Sequence, residues 1–143
     1  MKRQNGVILS GVLANVRREQ LKLGAAAADY VLALLITDDP AYGGHHTVIF
    51  PAEFALDVEA YQQLVNPTRL EATVEGWLRS YPGRNGWPGG GVVVVDRVIF
   101  LNVTQEHRNY VTRLKAQHRQ AQTSQSKVEA ARSVTVNVAR RQR

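Results

Sequence analysis

The chain has 143 residues, of which 44% are hydrophobic, so it can bury a real core and global disorder is not expected. It contains no cysteine, which excludes a disulfide framework, a thiolate metal site and a cysteine nucleophile. The formal net charge is +6, and residues 104–143 carry the excess, with nine basic and two acidic residues against nine and ten in residues 1–103. A basic tail of this kind indicates a polyanionic partner, or simply a solvated segment.

The beginning of the chain resembles a short signal peptide, because Lys2 and Arg3 precede an apolar stretch over residues 7–16. Polar and small residues interrupt that stretch, and no small-x-small cleavage site follows it. The strongly apolar run over residues 30–36 is far too short to span a bilayer. We therefore expect a protein of the reducing cytoplasm that makes no membrane contact.

Three strands are predicted first. Residues 7–16 are rich in β-branched residues and contain Gly11, which predicts a long strand with a bend or bulge near that glycine. Residues 28–37 form an apolar run that fits a strand or a helix, but its length and the turn-forming residues after it favour a strand. A short third strand is predicted over residues 46–50, closed by Pro51.

A helix and a fourth strand follow. Residues 52–65 carry apolar residues at helical spacing, and the Asn66-Pro67 pair ends the helix. Residues 70–80 alternate between apolar and polar side chains, as in a strand with one buried face. The segment over residues 81–91 is rich in Gly and Pro, which predicts a loop or hairpin tip.

A fifth strand over residues 92–103 completes the order β-β-β-α-β-β, with the helix between strands three and four. That is the order of the OB-fold, an all-β class in which a five-stranded barrel binds oligonucleotides on one face and its long loops. We therefore predict an OB-fold domain over residues 1–103. Residues 104–143, which are polar and rich in Gln, Lys and Arg, form a basic C-terminal tail that is partly helical or disordered until bound.

Four segments within residues 5–103 resemble the bacterial single-stranded DNA-binding protein family, in the order and spacing of that family. Residues 5–13 are similar to its first strand, and residues 46–65 to its third strand and helix. Residues 71–80 contain Val-Glu-Gly-Trp-Leu-Arg, which is similar to the family's fourth strand, and residues 92–100 are similar to its closing strand. Each pattern alone is weak, and it is their combination that carries the resemblance.

The resemblance implies a protein that binds single-stranded DNA without base preference and without catalysing a reaction, in DNA replication, recombination or repair. It also implies a homo-oligomer, either a tetramer or a dimer, a cytoplasmic and nucleoid-associated location, and no cofactor. Members of this family generally end in an acidic-hydrophobic peptide that recruits other proteins, whereas this chain ends in Arg140-Arg141-Gln142-Arg143. We therefore expect an atypical member, such as a mobile-element or specialised paralogue, without recruitment through that peptide.

Single strands are held by aromatic rings that stack on bases and by cations that follow phosphates. The strongest ring candidates lie in turn-like contexts: Tyr42 after strand two, and Tyr81 and Trp87 in the loop after strand four. Trp77, on the polar face of strand four, fits base stacking and subunit packing equally. Phe50, at the end of strand three, is at a position where the family often has a base-stacking ring, but its context favours core packing.

Cations in two parts of the chain are candidates for phosphate contacts, although each could also be an exposed charge with no special role. The first set comes from strand four, its loop and strand five, and the second from the first loop: Arg79, Arg84 and Arg97, then Arg17, Arg18 and Lys22. We expect no metal, because the adjacent His45 and His46 point to opposite sides of a strand. No nucleophile, base and orienting group occur together, so we expect no enzyme.

Two alternative functions remain open. The first is an OB-fold protein-interaction module, such as a primosome-type accessory. The near-neutral charge of residues 1–103 and the missing recruitment peptide are both consistent with it. The second is a binder of single-stranded RNA, because stacking does not select the sugar.

Overall fold

The computed structural model describes residues 6–23, 26–38, 44–81 and 90–141, with the backbone alone at residue 81 and from residue 124 onward. It contains five strands and two helices, which confirms the predicted order of elements in the barrel. Among the described residues, no helix is long and apolar enough to cross a membrane. The elements are β1 (Gly6–Leu21), β2 (Ala28–Ile36), β3 (His45–Phe50), α1 (Ala52–Val65), β4 (Glu71–Tyr81), β5 (Gly90–Phe100) and α2 (Gln105–Arg141).

The five strands close into a barrel in the order β1-β2-β3-β5-β4. Closure depends on β1, which pairs antiparallel with β4 over residues 6–12 and antiparallel with β2 over residues 12–21. β3 and β5 pair in parallel, which joins the two halves of the sheet. This topology, with α1 between β3 and β4, is that of the OB-fold, so the predicted fold is confirmed.

β1 pairs with both β4 and β2 because it bends at Asn15. The β1–β2 register shifts between Ala14 and Arg17, and Asn15 has a φ of 52°, a left-handed conformation that Asn tolerates better than most residues. The bulge predicted near Gly11 therefore lies further along the strand. Gly11 has a packing role instead, because a Cβ at this position would overlap the carbonyl oxygen of Ile36 in β2.

Aliphatic side chains fill the barrel, and α1 packs on it. Leu13, Val31, Leu35, Val48 and Val74 are fully buried. Two aromatic rings join α1 to β5: the centroids of Tyr61 and Phe100 lie 4.7 Å apart. The interior of the barrel is therefore filled by aliphatic side chains from β1, β2, β3 and β4.

The chain divides into two units, Met1–His107 and Arg108–Arg143. Helix α2 begins in the first unit and is capped there by Thr104, whose Oγ1 accepts a hydrogen bond from the backbone N–H of His107 at 3.1 Å. The backbone N–H of Thr104 donates in turn to Nδ1 of His107 at 3.3 Å, which gives a reciprocal capping box. The helical alternative for the tail therefore holds over Gln105–Arg141.

Candidate functional site

The strand register places five side chains in one row across the sheet. Trp77 of β4 is opposite Val94 of β5, and Val94 is beside Ile49 of β3. Ile49 is opposite Leu32 of β2, and Leu32 is opposite Arg17 of β1. Paired residues lie on the same face of a sheet, and strands are about 4.8 Å apart, so this Trp77–Arg17 row extends roughly 19 Å along the sheet.

The Trp77–Arg17 row lies on the outer face of the barrel. Its neighbours along the strands, such as Val31 and Val48, are fully buried and fill the barrel interior. Arg79 lies two residues beyond Trp77, hence on the same face, and it is exposed. An exposed arginine marks this face as the one directed away from the core.

The floor of this outer face is apolar. Leu21, Leu32, Ile49 and Val92 form one cluster in which each side chain is at most 2% exposed. Leu23, Tyr30 and Leu34 pack against it. β2 is apolar on both faces for this reason, since one face fills the barrel and the other contributes to this cluster. That double burial also explains why the sequence of β2 shows no clear alternation.

Half-buried rings and charged groups border the apolar floor. Trp77 lies at the β4 end and Tyr30 near the β1 end, and both rings are half-buried. Arg79 adds a cation beside Trp77. At the other end, Nη2 of Arg17 lies 3.0 Å from Oε1 of Glu19, which is itself paired with Tyr30 in the register. The accessible groups of this face are therefore two rings and two cations around a buried apolar cluster, which suits a ligand with planar rings and an anionic backbone.

A second outer region carries exposed aliphatic side chains. Ile8, Ile99 and Leu101 are 68%, 47% and 52% exposed. Ile99 is opposite Thr73, whose hydroxyl lies 2.7 Å from the hydroxyl of Ser10 in the next strand. We call these three aliphatic residues the Ile8 patch.

Arg97 belongs to this second region. Glu75 of β4 pairs with Ile8 of β1 on one side and with Arg97 of β5 on the other. The exposed Arg97 is therefore in the row of Ile8 and not in the row of Trp77. A register shift of β5 beside Glu75 and Gly76 separates the two rows.

Arg17 and Arg18, which were predicted as one phosphate-binding set, point in different directions. Arg18 donates from Nε to Oε1 of Glu59 in α1 at 2.8 Å. This hydrogen bond raises the pKa of Arg18 above its ordinary value. Consecutive residues of a strand point to opposite faces, so Arg17 joins the row and Arg18 joins the helix.

Phe50 needs a correction as a stacking candidate. Its side chain is fully buried in the barrel, so it cannot meet a base, and core packing is the interpretation that fits. Lys22 is exposed directly after β1. Three predicted residues, Tyr42, Arg84 and Trp87, lie outside the described residues. The backbone of Tyr81 pairs with Gly90 as the last residue of β4, and its side chain is outside the description.

Tyr30 is a residue of this face that the sequence analysis missed. It packs against the apolar cluster and is half-buried, which is the environment of a ring that presents one side to a ligand. The available signal was its position next to the predicted loop between strands one and two. The continuous apolar run after it hid the alternation of Tyr30, Leu32 and Leu34.

Among the residues that the structure describes, no group of three or more His, Cys, Asp or Glu side chains could hold a metal ion.

No protein-family model matches this sequence, and no curated protein matches it at significant similarity. Solved structures do resemble it. The mitochondrial single-stranded DNA-binding protein Rim1 of S. cerevisiae is 10% identical, with a TM-score of 0.47, and the match covers 67% of this chain and 94% of that one.

Two further structures are similar to the same extent. A small single-stranded DNA-binding protein of Mycoplasma pneumoniae is 13% identical, with a TM-score of 0.49 and coverage of 71% of this chain and 98% of that one. The Plasmodium falciparum SSB, in complex with single-stranded DNA, is 14% identical, with a TM-score of 0.45 and the same coverage. At these identities the likeness concerns the fold alone, and the barrel described above rests on its own strand pairing.

Proposed function

We propose that this chain binds single-stranded DNA, without base preference and without catalysing a reaction, on the outer face that carries the Trp77–Arg17 row. Bases stack on the accessible sides of Trp77 and Tyr30, and the buried apolar cluster between them holds the two rings in place. Arg79 and Arg17 bind backbone phosphates at the two ends of the row. Stacking tolerates any base because every base has a π face, so binding is independent of sequence.

The observation that carries this proposal is the placement of two half-buried rings and two cations around one apolar floor, on β1, β2 and β4. The faces formed by strands two and three of OB barrels bind oligonucleotides, and the row crosses both strands. A catalytic site would need a nucleophile or a metal at such a face, and the groups identified on it serve stacking and charge neutralisation instead.

The wider setting follows from the family resemblance and belongs to the proposal. It comprises a role in DNA replication, recombination or repair, a nucleoid-associated location in the cytoplasm, and a division into a binding domain over residues 1–103 and a basic tail over residues 104–143. Single-stranded RNA remains the competing ligand on this face, because the rings do not contact the sugar.

A fluorescence titration tests the proposed ligand. The full chain is titrated with unlabelled dT and U oligomers of equal length, and Trp emission and anisotropy of labelled competitors are followed. We expect quenching that saturates with dT and an affinity for dT that falls as the salt concentration rises. Absence of saturable binding to dT at low salt would overturn the proposal, and stronger binding of the U oligomer would reassign the ligand to RNA.

A protein contact is a second candidate function, and the Ile8 patch favours it. Exposed aliphatic residues grouped on one outer face of a sheet are typical of an interface between proteins. We propose a homo-oligomer, a dimer or tetramer, that buries this patch. We expect Ile8→Lys together with Ile99→Lys to lower the mass measured by light scattering to that of a monomer. Leu78→Lys, at a side chain that is 45% exposed outside the patch, is the control and should leave the mass unchanged.

A further inference from the structure

Helix α2 is long, basic and polar. Gln105–Arg141 contains 37 residues, which corresponds to about 55 Å of α-helix. Eight of these residues are Lys or Arg, and two are Asp or Glu. Every residue from 116 to 123 is exposed, so over these two turns the helix buries no face. A helix that is polar on all sides needs a reason other than core packing.

The cations of α2 lie on two sides of the helix. At about 100° per residue, Arg108, Lys115 and Arg119 fall within roughly 40° of one another around the axis. They form one stripe that is about 16 Å long at 1.5 Å per residue. Arg113 stands about 140° around the axis from Arg108, on another flank. Arg113 and Arg119 are exposed and Lys115 is half-buried, so the helix presents positive charge in more than one direction.

Residues 105–123 contain four Lys or Arg residues and one acidic residue. The acidic residue of that segment is Glu106, which lies in the first turn, where the helix dipole favours a negative charge. Amide side chains accompany the cations: Gln117 lies between Lys115 and Arg119, and Gln120 and Gln122 follow Arg119. Arg, Lys and Gln are the side chains that bind phosphates and the base edges of the major groove.

The distribution of charge on α2 distinguishes among three anionic partners: a membrane, an acidic protein surface and DNA. A membrane surface requires a broad apolar face on the helix, and the nonpolar residues over residues 116–123 are two alanines, Ala116 and Ala121. A flat acidic protein surface would neutralise one flank and leave the other unused. The major groove of B-form DNA is about 12 Å wide, accepts a helix 10–12 Å across, and has phosphates along both walls.

We propose that α2 binds the major groove of duplex DNA, as a second nucleic-acid site separate from the barrel. Arg113 binds phosphates of one wall, and Lys115 and Arg119 bind those of the other. Double-stranded RNA is a poor ligand for such a helix, because its major groove is deep and narrow.

The test uses the full chain and three labelled probes: a 20-bp DNA duplex, the same sequence as duplex RNA, and a dT oligomer. The variant replaces Arg113, Lys115 and Arg119 together by Gln, a good helix former, and far-UV circular dichroism checks its helix content. We expect at least a tenfold loss of affinity for duplex DNA at 50 mM NaCl. The slope of log K against log salt should fall by about 2.7, since each neutralised phosphate contributes about 0.9. The charge-preserving pair Arg113→Lys and Arg119→Lys should retain most of the binding.

The two proposals fail in different ways. Duplex DNA that does not bind the natural chain, or that binds the Gln variant equally well, would overturn the assignment of α2. The assignment would also be overturned if the Gln variant lost affinity equally for duplex DNA and dT, or if the natural chain bound duplex RNA more tightly than duplex DNA. A natural chain that binds duplex DNA but not dT would instead overturn the function proposed for the barrel and leave the site on α2 standing.

Discussion

Arg17 and Arg18 are adjacent in β1, yet their guanidinium groups bind carboxylates on opposite sides of the strand. Nη2 of Arg17 lies 3.0 Å from Oε1 of Glu19, on the outer face. Nε of Arg18 donates to Oε1 of Glu59 at 2.8 Å, on the side of α1. The two neighbours are identical side chains. Variants of Arg17 therefore test ligand binding on the outer face, and the same variants of Arg18 test packing against α1.

The first prediction concerns this pair. Arg17→Gln should weaken binding of a dT oligomer by about threefold to tenfold, because a charge-assisted hydrogen bond to phosphate is lost at a partly exposed site. Arg18→Gln should leave the affinity within about twofold. It should lower the free energy of unfolding in urea by no more than about 1 kcal/mol, since the Arg18–Glu59 pair is partly exposed. Equal losses of affinity in the two variants would contradict the division.

The second prediction concerns the ring at the β4 end of the row. Trp77→Ala should weaken dT binding by roughly fivefold to 150-fold, which corresponds to about 1–3 kcal/mol for one stacked base. Trp77→Phe keeps an aromatic face and should recover much of that affinity. Anisotropy of a labelled oligomer measures both variants without depending on Trp emission. If Trp77→Phe were as defective as Trp77→Ala, stacking would not be the role of this ring.

The third prediction compares two cations of neighbouring strands. Arg79 lies on the face of Trp77, whereas Arg97 is paired with Glu75 in the row of Ile8. Arg79→Gln should reduce the salt slope of single-strand binding by about 0.7, the contribution of one phosphate. Arg97→Gln should change the slope by less, because it stands in the neighbouring row. Titrations at four or five salt concentrations measure the two slopes, and the reverse ranking would move the site to the Ile8 patch.

The fourth prediction concerns close packing between β4 and β5. A Cβ on Gly76 would overlap the carbonyl oxygen of Val94, which is backbone and cannot move aside cheaply. Gly76→Ala should therefore destabilise the barrel by about 2 kcal/mol or more in urea unfolding. Gly91 in the same strand pair is the control, since a Cβ there would meet no atom within 4 Å. A Gly76→Ala protein as stable as the natural chain would show that the strands are further apart at this point.

The fold could be predicted because several local patterns agreed. The alternation of β4, the helical spacing of α1 and the turn residues after each strand all fitted one order of elements, and that order has few solutions. The bulge of β1 was misplaced because two residue types tolerate the required conformation. Gly11 suggested a bend, but it is Asn15 that takes the positive φ, while Gly11 permits close approach to Ile36.

The candidate site could be predicted only in part, since it depends on which residues meet across strands. The alternation of β4 predicted that Trp77 and Arg79 lie on the same face. The placement of Arg17 beside Leu32 depends on the β1–β2 register, which the bulge at Asn15 shifts. Tyr30 escaped notice because β2 is buried on both faces. Phe50 was harder to assign because a ring at the end of a strand can face a ligand or the core. In the structure it is fully buried.

The most direct test of the proposed function is photocrosslinking of the full chain to a dT oligomer that carries 5-iodouracil, with the attachment sites mapped by mass spectrometry. The proposed function predicts that crosslinks form at Trp77 and Tyr30, and that unlabelled dT competes them away. Crosslinks confined to peptides of the Ile8 patch, or to Tyr110 of α2, with Trp77 and Tyr30 unmodified, would contradict it.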